Sequence, residues 1–190
     1  RKDFGAKPFL YPQPVLMIAT YGEDGTPDVM NAAWGGIADM KRVAMYLSAS
    51  HKTVKNILAR KAFTVSMADA DHVTECDYLG IVSANQVPDK VARAGFHVTK
   101  SAHVDAPLVD ELPLALECRF VSFDEESELL VGEIVNVSVD ESAMTDGKVD
   151  VVIHAPSITD QQRAQIEDIV KRKTEVGAEN IIITLLNLED

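Results

Sequence analysis

The chain has few cysteines and no long apolar run. Its 190 residues include two cysteines, Cys76 and Cys118, without a Cys-x-x-Cys pair, which argues against a disulfide framework and a structural zinc site. No apolar run reaches the roughly 18 residues that a transmembrane helix needs. The N-terminal stretch also lacks the apolar segment of a secretory signal. The sequence therefore predicts a cytoplasmic protein with reduced cysteines and no membrane span.

Acid is missing from one stretch of a chain that is otherwise acidic. The whole sequence has 30 acidic residues against 18 lysines and arginines, an excess that disfavours binding to nucleic acid or to an anionic membrane surface. Residues 40–68, however, hold six of those cations and no acid. This contrast predicts one local site for an anion on an acidic protein.

Strand patterns dominate the first 150 residues, which contain neither a Gly-rich dinucleotide fingerprint nor a P-loop. An apolar run at 14–20 precedes Asp24-Gly25, whose glycine suits the positive φ of a hairpin turn. Further strands are predicted at 28–34, 43–49, 62–68, 77–85, 114–124 and 128–140, with short helices at 51–61 and 87–95. This pattern indicates a β-barrel with helical excursions and not a parallel βαβ sheet.

The last forty residues differ in pattern. Thr159 and Gln162 form a T-x-x-Q capping box ahead of apolar residues at helical spacing, which predicts a helix at about 159–175. Residues 180–188 could form a final strand. We therefore divide the chain into a barrel domain, residues 1–150, and a divergent C-terminal segment, residues 151–190.

The stretch "SASHKTVKN", residues 48–56, places hydroxyls and cations where a helix is expected to begin. The unpaired N–H groups and partial positive charge of a helix N-terminus bind phosphate well. Lysines are unfavourable in a first helical turn because the helix dipole repels them, so Lys52 and Lys55 without an acid indicate an anion at this point. The alternative is that Ser50 merely caps the helix and both lysines are solvated.

The segment "MNAAWGG", residues 30–36, combines small residues with the amide of Asn31. Small residues let the backbone approach a planar ligand, so the segment predicts a slot for an aromatic ring. Together with the anion site it favours a phosphorylated cofactor that carries such a ring. The alternative is an ordinary barrel strand, kinked at Gly35-Gly36, with Trp34 in the core.

A metal site is a weaker alternative. Asp71, His72, Cys76 and Asp77 lie close together in the sequence, but one His-x-x-x-Cys spacing without a second pair arises easily by chance. We expect no metal, and the sequence leaves the reactivity of Cys76 open.

Five segments in order resemble the flavin reductase-like proteins, particularly the flavoredoxin branch: residues 12–36, 47–67, 80–96, 105–120 and 129–137. The resemblance covers roughly residues 8–148. It implies a mainly β fold, a homodimeric antiparallel split β-barrel that binds FMN. After that point the chain departs from the family pattern, since the closing Tyr-x-x-Leu-Gly motif of many relatives is absent.

The resemblance also implies which residues contact the cofactor. The flavin ring would lie against Asn31, Ala32, Ala33 and Trp34. The phosphate and ribityl groups would meet Ser48, Ala49, Ser50, His51, Lys52 and Thr53. A loop that supplies Ser83, Ala84, Asn85 and Lys90 would close over the cofactor.

The implied function is that of an FMN-binding oxidoreductase, which passes electrons from NAD(P)H through bound FMN to flavin or another acceptor. We assign no catalytic side chain, because hydride arrives at the flavin ring itself. Two alternatives are a flavoredoxin-type electron carrier reduced by a protein partner, and a flavin-binding module without turnover. The sequence does not distinguish FMN from FAD or identify the donor.

Overall fold

The computed structural model describes residues 1–10, 12–145, 148–154, 159–174 and 181–186. The strands of the first part are β1 Leu16–Tyr21, β2 Pro27–Ala32, β3 Gly35–Asp39, β4 Arg42–Tyr46, β5 Ala62–Met67, β6 Val98–Lys100, β7 Pro107–Val109, β8 Leu114–Asp124 and β9 Leu129–Val139. Seven of them form one sheet in the order β2-β1-β5-β8-β9-β4-β3, with antiparallel pairing throughout. This curled sheet is the predicted split barrel.

Strand β1 is buried on both faces. Leu16 and Ile18 pack in one hydrophobic cluster, while Met17 and Ala19 pack in a second cluster on the opposite face. Because successive side chains of a strand point to opposite faces, burial on both sides requires a continuous apolar run. This burial on both faces explains why apolar and polar residues do not alternate in this part of the sequence.

The predicted hairpin turn is confirmed between β1 and β2. Gly25 has a φ of 84°, and the N–H of Gly22 donates to the carbonyl of Thr26 at 2.8 Å. The side chain of Asp24 accepts a further hydrogen bond from the N–H of Thr26. Asp24-Gly25 therefore supplies both the positive φ and the side-chain acceptor of the turn.

Three α-helices lie between strands β1 and β9: α1 Lys52–Arg60, α2 Val73–Ile81 and α3 Lys90–Arg93. Helices α1 and α3 confirm the two predicted helical segments. The strand expected at 77–85 is wrong, since α2 covers its first half. Cys76 and Leu79, three residues apart on α2, both pack in the second cluster, so the apolar residues serve one face of a helix and not a strand.

The C-terminal elements are β10 Met144–Thr145, β11 Lys148–His154, α4 Asp160–Thr174 and β12 Ile181–Leu186. Strands β11 and β12 pair in parallel, and α4 lies between them in the chain. The predicted capping box forms: the N–H of Gln162 donates to the Thr159 hydroxyl at 3.2 Å, and the N–H of Thr159 donates to the Gln162 side chain at 2.8 Å.

The expected domain boundary at residue 150 falls within β11, so the division stays a prediction. No helix in the described part of the chain is long and apolar enough to cross a membrane.

Candidate functional site

The N-terminus of α1 has no side-chain cap. Its N-cap residue, His51, makes no side-chain hydrogen bond to the helix, and the first turn contains no acid. The hydroxyls of Ser48 and Ser50 lie 3.1 Å apart and bond to each other. The alternative that Ser50 caps the helix is therefore wrong. The first-turn N–H groups are left without a capping side chain, which favours an anion at this end.

A buried network of hydrogen bonds and one ion pair joins the start of α1 to β2 and α3. The Thr53 hydroxyl donates to Asp28 Oδ2 at 2.6 Å, and Asp28 Oδ1 lies 3.3 Å from the Lys90 ammonium, in a pair whose side chains are 3–4% exposed. Lys90 also donates to the carbonyls of Leu79 and Val82, each at 3.0 Å. These contacts tie β2, α1, the end of α2 and the start of α3 to one another.

An inner cleft of ≈ 250 Å³ lies above this network. It is lined by Asp28 and Met30 of β2, by residues 51–53 at the start of α1, by residues 79–84, and by Lys90. Of the site residues predicted from the sequence, this cleft brings together His51, Lys52, Thr53, Ser83, Ala84 and Lys90. The cleft therefore brings together three of the residues assigned to the phosphate and ribityl groups and three of the residues assigned to the closing loop.

An outer cleft of ≈ 430 Å³ adjoins it. Its walls are the β1–β2 turn, the face of α1 that carries Lys52 and Asn56, and the loop that includes Asn85. Asp28, Lys52 and Ala84 line both clefts. Asn85 thus lies at the outer cleft and not at the inner one.

Asn31 faces α2. Its side-chain nitrogen donates to the carbonyl of Cys76 at 3.0 Å. A Cβ on Gly80 would lie 2.2 Å from the Asn31 amide atoms, so only glycine leaves room for this contact. Asn31 and its neighbour Ala32, which packs against the first hydrophobic cluster, do not line the inner cleft. Contact of either with a cofactor stays a prediction.

Trp34 lies on the surface. It is 65% exposed, so the alternative that placed it in the core is wrong. Ala33 and Trp34 line an apolar groove of ≈ 580 Å³ together with Pro8, Leu10, Gln13, Gly35, Gly36, Ile37, Ala44 and Tyr46. Position 35 at the start of strand β3 requires glycine, because a Cβ there would come within 2.9 Å of the Ala44 carbonyl oxygen.

The remaining predicted residues, Ser48, Ala49 and Ser50, form the loop that enters α1 and line none of these three cavities. The sequence analysis missed Asp28 and Gly80. Asp28 carried one signal, an acid within a strand pattern, but nothing local in the sequence identifies Lys90 as its partner. Gly80 carried none, because its role depends on Asn31, which is distant in the chain.

Cys76 lies in an environment that favours the protonated thiol. It is 2% exposed, and burial, together with the charges of Asp69 and Glu75, raises the pKa of the thiol to about 11. A protonated buried thiol is a poor nucleophile and a poor metal ligand. His72 is engaged by Asp69, with Nδ1 2.8 Å from Oδ1. Among the described residues, no group of three or more His, Cys, Asp or Glu side chains could hold a metal.

A curled antiparallel sheet, with a cleft against an uncapped helix N-terminus, defines a split-barrel protein suited to an anionic ligand. The chain belongs to the flavin reductase-like family, since the model of the flavin reductase like domain matches residues 9–168.

Solved structures agree with the family. Flavoredoxin of Desulfovibrio vulgaris (Miyazaki F) is 36% identical, with a TM-score of 0.74 over 78% of this chain and 81% of that chain. An FMN-binding domain of a flavin reductases-like enzyme from Shewanella baltica is 19% identical, with a TM-score of 0.66 over 72% and 74% of the two chains, and shows the fold alone. An uncharacterized protein of Aeropyrum pernix is 27% identical over 128 residues, which are 65% of this chain. The match spans about half, 48%, of the length of that relative.

Proposed function

We propose that the protein is an FMN-binding oxidoreductase, which passes electrons from NAD(P)H through bound FMN to free flavin or another acceptor. One observation carries the proposal: the uncapped N-terminus of α1, with Lys52 in its first turn, opens on the inner cleft. Phosphate suits such a terminus, because backbone donors and a cation converge on it.

The residues present fit FMN. The first-turn N–H groups of α1 and the Lys52 side chain would hold the phosphate. Met30, Leu79 and Ile81 give the inner cleft apolar wall for the less polar parts of the cofactor. The backbone of residues 31–34 would face the ring. When bound, FMN supplies hydride acceptance and the release of electrons singly or in pairs.

The protein's own contribution is orientation. The contact of Thr53 with Asp28 and the pairing of Asp28 with Lys90 fix the first turn of α1 before any ligand arrives. Lys90 also holds the loop after α2 through the Val82 carbonyl. Its ammonium already has three protein oxygens, so we assign it to positioning the cleft and not to direct phosphate contact. Donors fixed in advance lose less entropy on binding.

The first test is a visible absorption spectrum of the purified protein, followed by acid release and chromatography of the chromophore. Flavin bands and released FMN would support the cofactor assignment. A colourless protein that also fails to take up added FMN would contradict it. Steady-state oxidation of NADH and NADPH with added FMN then tests turnover against a control without protein.

A second candidate is a flavoredoxin-type electron carrier, which the similarity to flavoredoxin of Desulfovibrio vulgaris favours. Anaerobic mixing of the FMN-loaded protein with NADH or NADPH separates the candidates. Rapid bleaching of the flavin supports the reductase. Bleaching by a reduced low-potential electron-transfer protein, but not by either nicotinamide, supports the carrier. Flavin that none of these donors reduces leaves a flavin-binding module without turnover.

We also propose that the protein is a homodimer. Trp34, Ile37 and Tyr46 are 65%, 68% and 55% exposed around one apolar groove, and β3 beside it is an edge strand of the sheet. A second copy would cover this surface and the unpaired edge. Light scattering should give the mass of a dimer for the parent protein and of a monomer for Trp34→Lys. Val121→Lys, an exposed apolar position that does not line the groove, should remain dimeric.

A further inference from the structure

Acids outnumber cations around the outer cleft. Among the described residues, its lining contains Glu23, Asp24, Asp28 and one lysine, Lys52. The charge of Asp28 is offset by the Lys90 ammonium, 3.3 Å away. This leaves two carboxylates of the β1–β2 turn against one lysine, so the cleft favours a ligand with a net positive charge.

The two acids of the turn lie at the solvent side of the cleft. Glu23 and Asp24 are both exposed. The hydrogen bond from the Thr26 N–H lowers the pKa of the Asp24 carboxyl, which keeps this acid ionised at neutral pH. Two adjacent carboxylates can receive two cationic groups of one ligand through charge-assisted hydrogen bonds.

The cleft also contains a buried donor without a partner. Asn56, which lines the cleft, is 1% exposed, and its Nδ2 makes no hydrogen bond within the described residues. A buried amide donor left unsatisfied costs stability, so a ligand gains by placing an acceptor against Asn56. Lys52 is half-buried and lies one helical turn before Asn56 on α1, a spacing that lets both donate to the same acceptor group.

Burial orders the groups of the cleft by charge. The donors Asn56 and Lys52 lie deeper than the acids Glu23 and Asp24. A basic amino acid carries one carboxylate and two cationic groups. The two oxygens of its carboxylate suit the two donors, and its two cations suit the two acids. The cleft volume of ≈ 430 Å³ lies in the range of small-molecule sites.

We propose that the outer cleft binds a basic amino acid, with its carboxylate against Asn56 and its two cationic groups toward Glu23 and Asp24. These three residues line the outer cleft and not the inner one. The site is therefore separate from the proposed flavin site and does not depend on a bound flavin.

The test is calorimetry of the purified protein with L-lysine and two analogues. Cadaverine lacks the carboxylate, and Nα-acetyl-L-lysine lacks the charge of the α-amino group. We expect L-lysine to bind at least about tenfold more tightly than either analogue, because each analogue loses a hydrogen bond between charged or polar groups of opposite demand.

Two sets of variants separate the contacts. Asn56→Leu and Asn56→Asp should each weaken L-lysine binding by about tenfold without weakening cadaverine binding. Glu23→Gln combined with Asp24→Asn should weaken both ligands by about threefold to tenfold, since exposed ion pairs are individually weak. The matched control is Glu125→Gln combined with Glu126→Gln, two exposed acids of the β8–β9 turn that do not line the cleft and should change neither affinity.

Selective loss of L-lysine binding in the Asn56 variants supports the proposal, and their retained cadaverine binding shows that they are folded. Absence of binding to L-lysine at millimolar concentration overturns it. Equal affinity for L-lysine and cadaverine also overturns it, because Asn56 would then take no part. An equal loss in the Glu125 and Glu126 control would contradict it as well, since general attraction to an acidic surface would explain the binding. The visible spectrum of the same purified protein reports separately on the proposed flavin site, so either proposal can fail without the other.

Discussion

Two helix N-termini in this molecule are built in opposite ways. Helix α4 begins with a capping box, in which Thr159 and Gln162 satisfy each other's backbone N–H groups, and it has Asp160 in its first turn. Helix α1 begins at Lys52, its N-cap residue His51 makes no side-chain cap, and its first turn contains no acid. Side chains of its own segment cap the start of α4, whereas no side chain caps the backbone N–H groups at the start of α1.

The difference lies also in what holds each helix start. The capping box of α4 comes from residues of its own segment. The start of α1 is held by Thr53, which bonds to Asp28 of β2, and Asp28 is paired with Lys90. Because these contacts join side chains, they leave the first-turn N–H groups of α1 without a capping side chain. The N-terminus of α1, which we propose binds phosphate, thus combines tertiary support with a missing local cap.

The largest effect is expected from removing that support. Lys90→Met leaves the Asp28 carboxylate buried without its cation, which should destabilise the protein by about 3–5 kcal/mol. Urea unfolding of the ligand-free protein measures this loss. Lys100→Met, at a lysine that is 69% exposed, should change stability by less than about 0.5 kcal/mol. Similar small losses for both variants would mean that the buried pair does not hold α1.

Reversing the charge at α1 should separate binding from stability. Lys52→Glu should weaken FMN binding by at least about tenfold, because it replaces the attraction for phosphate by repulsion. The same change should alter the stability of the ligand-free protein by less than about 0.5 kcal/mol, because the helix dipole favours an acid in the first turn whereas Asp24 and Asp28, which line the same cleft, repel it. Calorimetry and urea unfolding measure the two quantities.

Asp160→Lys in α4 is the mirror control for this charge reversal. It should destabilise the protein by about 0.3–1 kcal/mol, because it puts a cation in a first helical turn, and it should leave FMN affinity unchanged. If Lys52→Glu instead left FMN affinity unaltered, the assignment of the phosphate to α1 would be wrong.

The smallest effect is expected at Ser50, which precedes α1, in comparison with the cap residue Thr159 of α4. Thr159→Ala removes the capping box of α4 and should cost about 0.5–2 kcal/mol, with no change in flavin binding. Ser50→Ala should cost almost nothing in the ligand-free protein, because Ser50 does not cap α1. Urea unfolding of both variants makes the comparison. A loss at Ser50 as large as that at Thr159 would contradict the contrast between the two helices.

Prediction from the sequence succeeded where the deciding contacts are local. Alternating residues at 114–124 and 128–140 predicted strands β8 and β9, which form and pair with each other in antiparallel. It failed at 77–85, where Leu79, Ile81 and Val82 form an apolar cluster without a clear period. Only the packing of Cys76 and Leu79 against the second hydrophobic cluster selects a helix there, and propensity yields to such packing.

The features of the candidate site also divide into those that the sequence predicted and those that it did not. The lack of acid in residues 40–68 and the cations at the start of α1 are visible in the sequence, and they are the basis for the proposed anion site. The partners of Thr53 and the exposure of Trp34 were not visible, and neither was the orphaned amide of Asn56. Each depends on chain segments that are far apart in the sequence.

The sequence by itself determined the hairpin at Asp24-Gly25, the capping box at Thr159 and the amphipathic pattern of α1, because the atoms that decide these features lie within a few residues of each other. Only the tertiary structure decided that Asp28 pairs with Lys90 beneath the cleft and that Gly80 must make room for Asn31. Those outcomes depend on which distant surfaces exclude water together, and burial of that kind is a property of the folded chain and not of any local stretch.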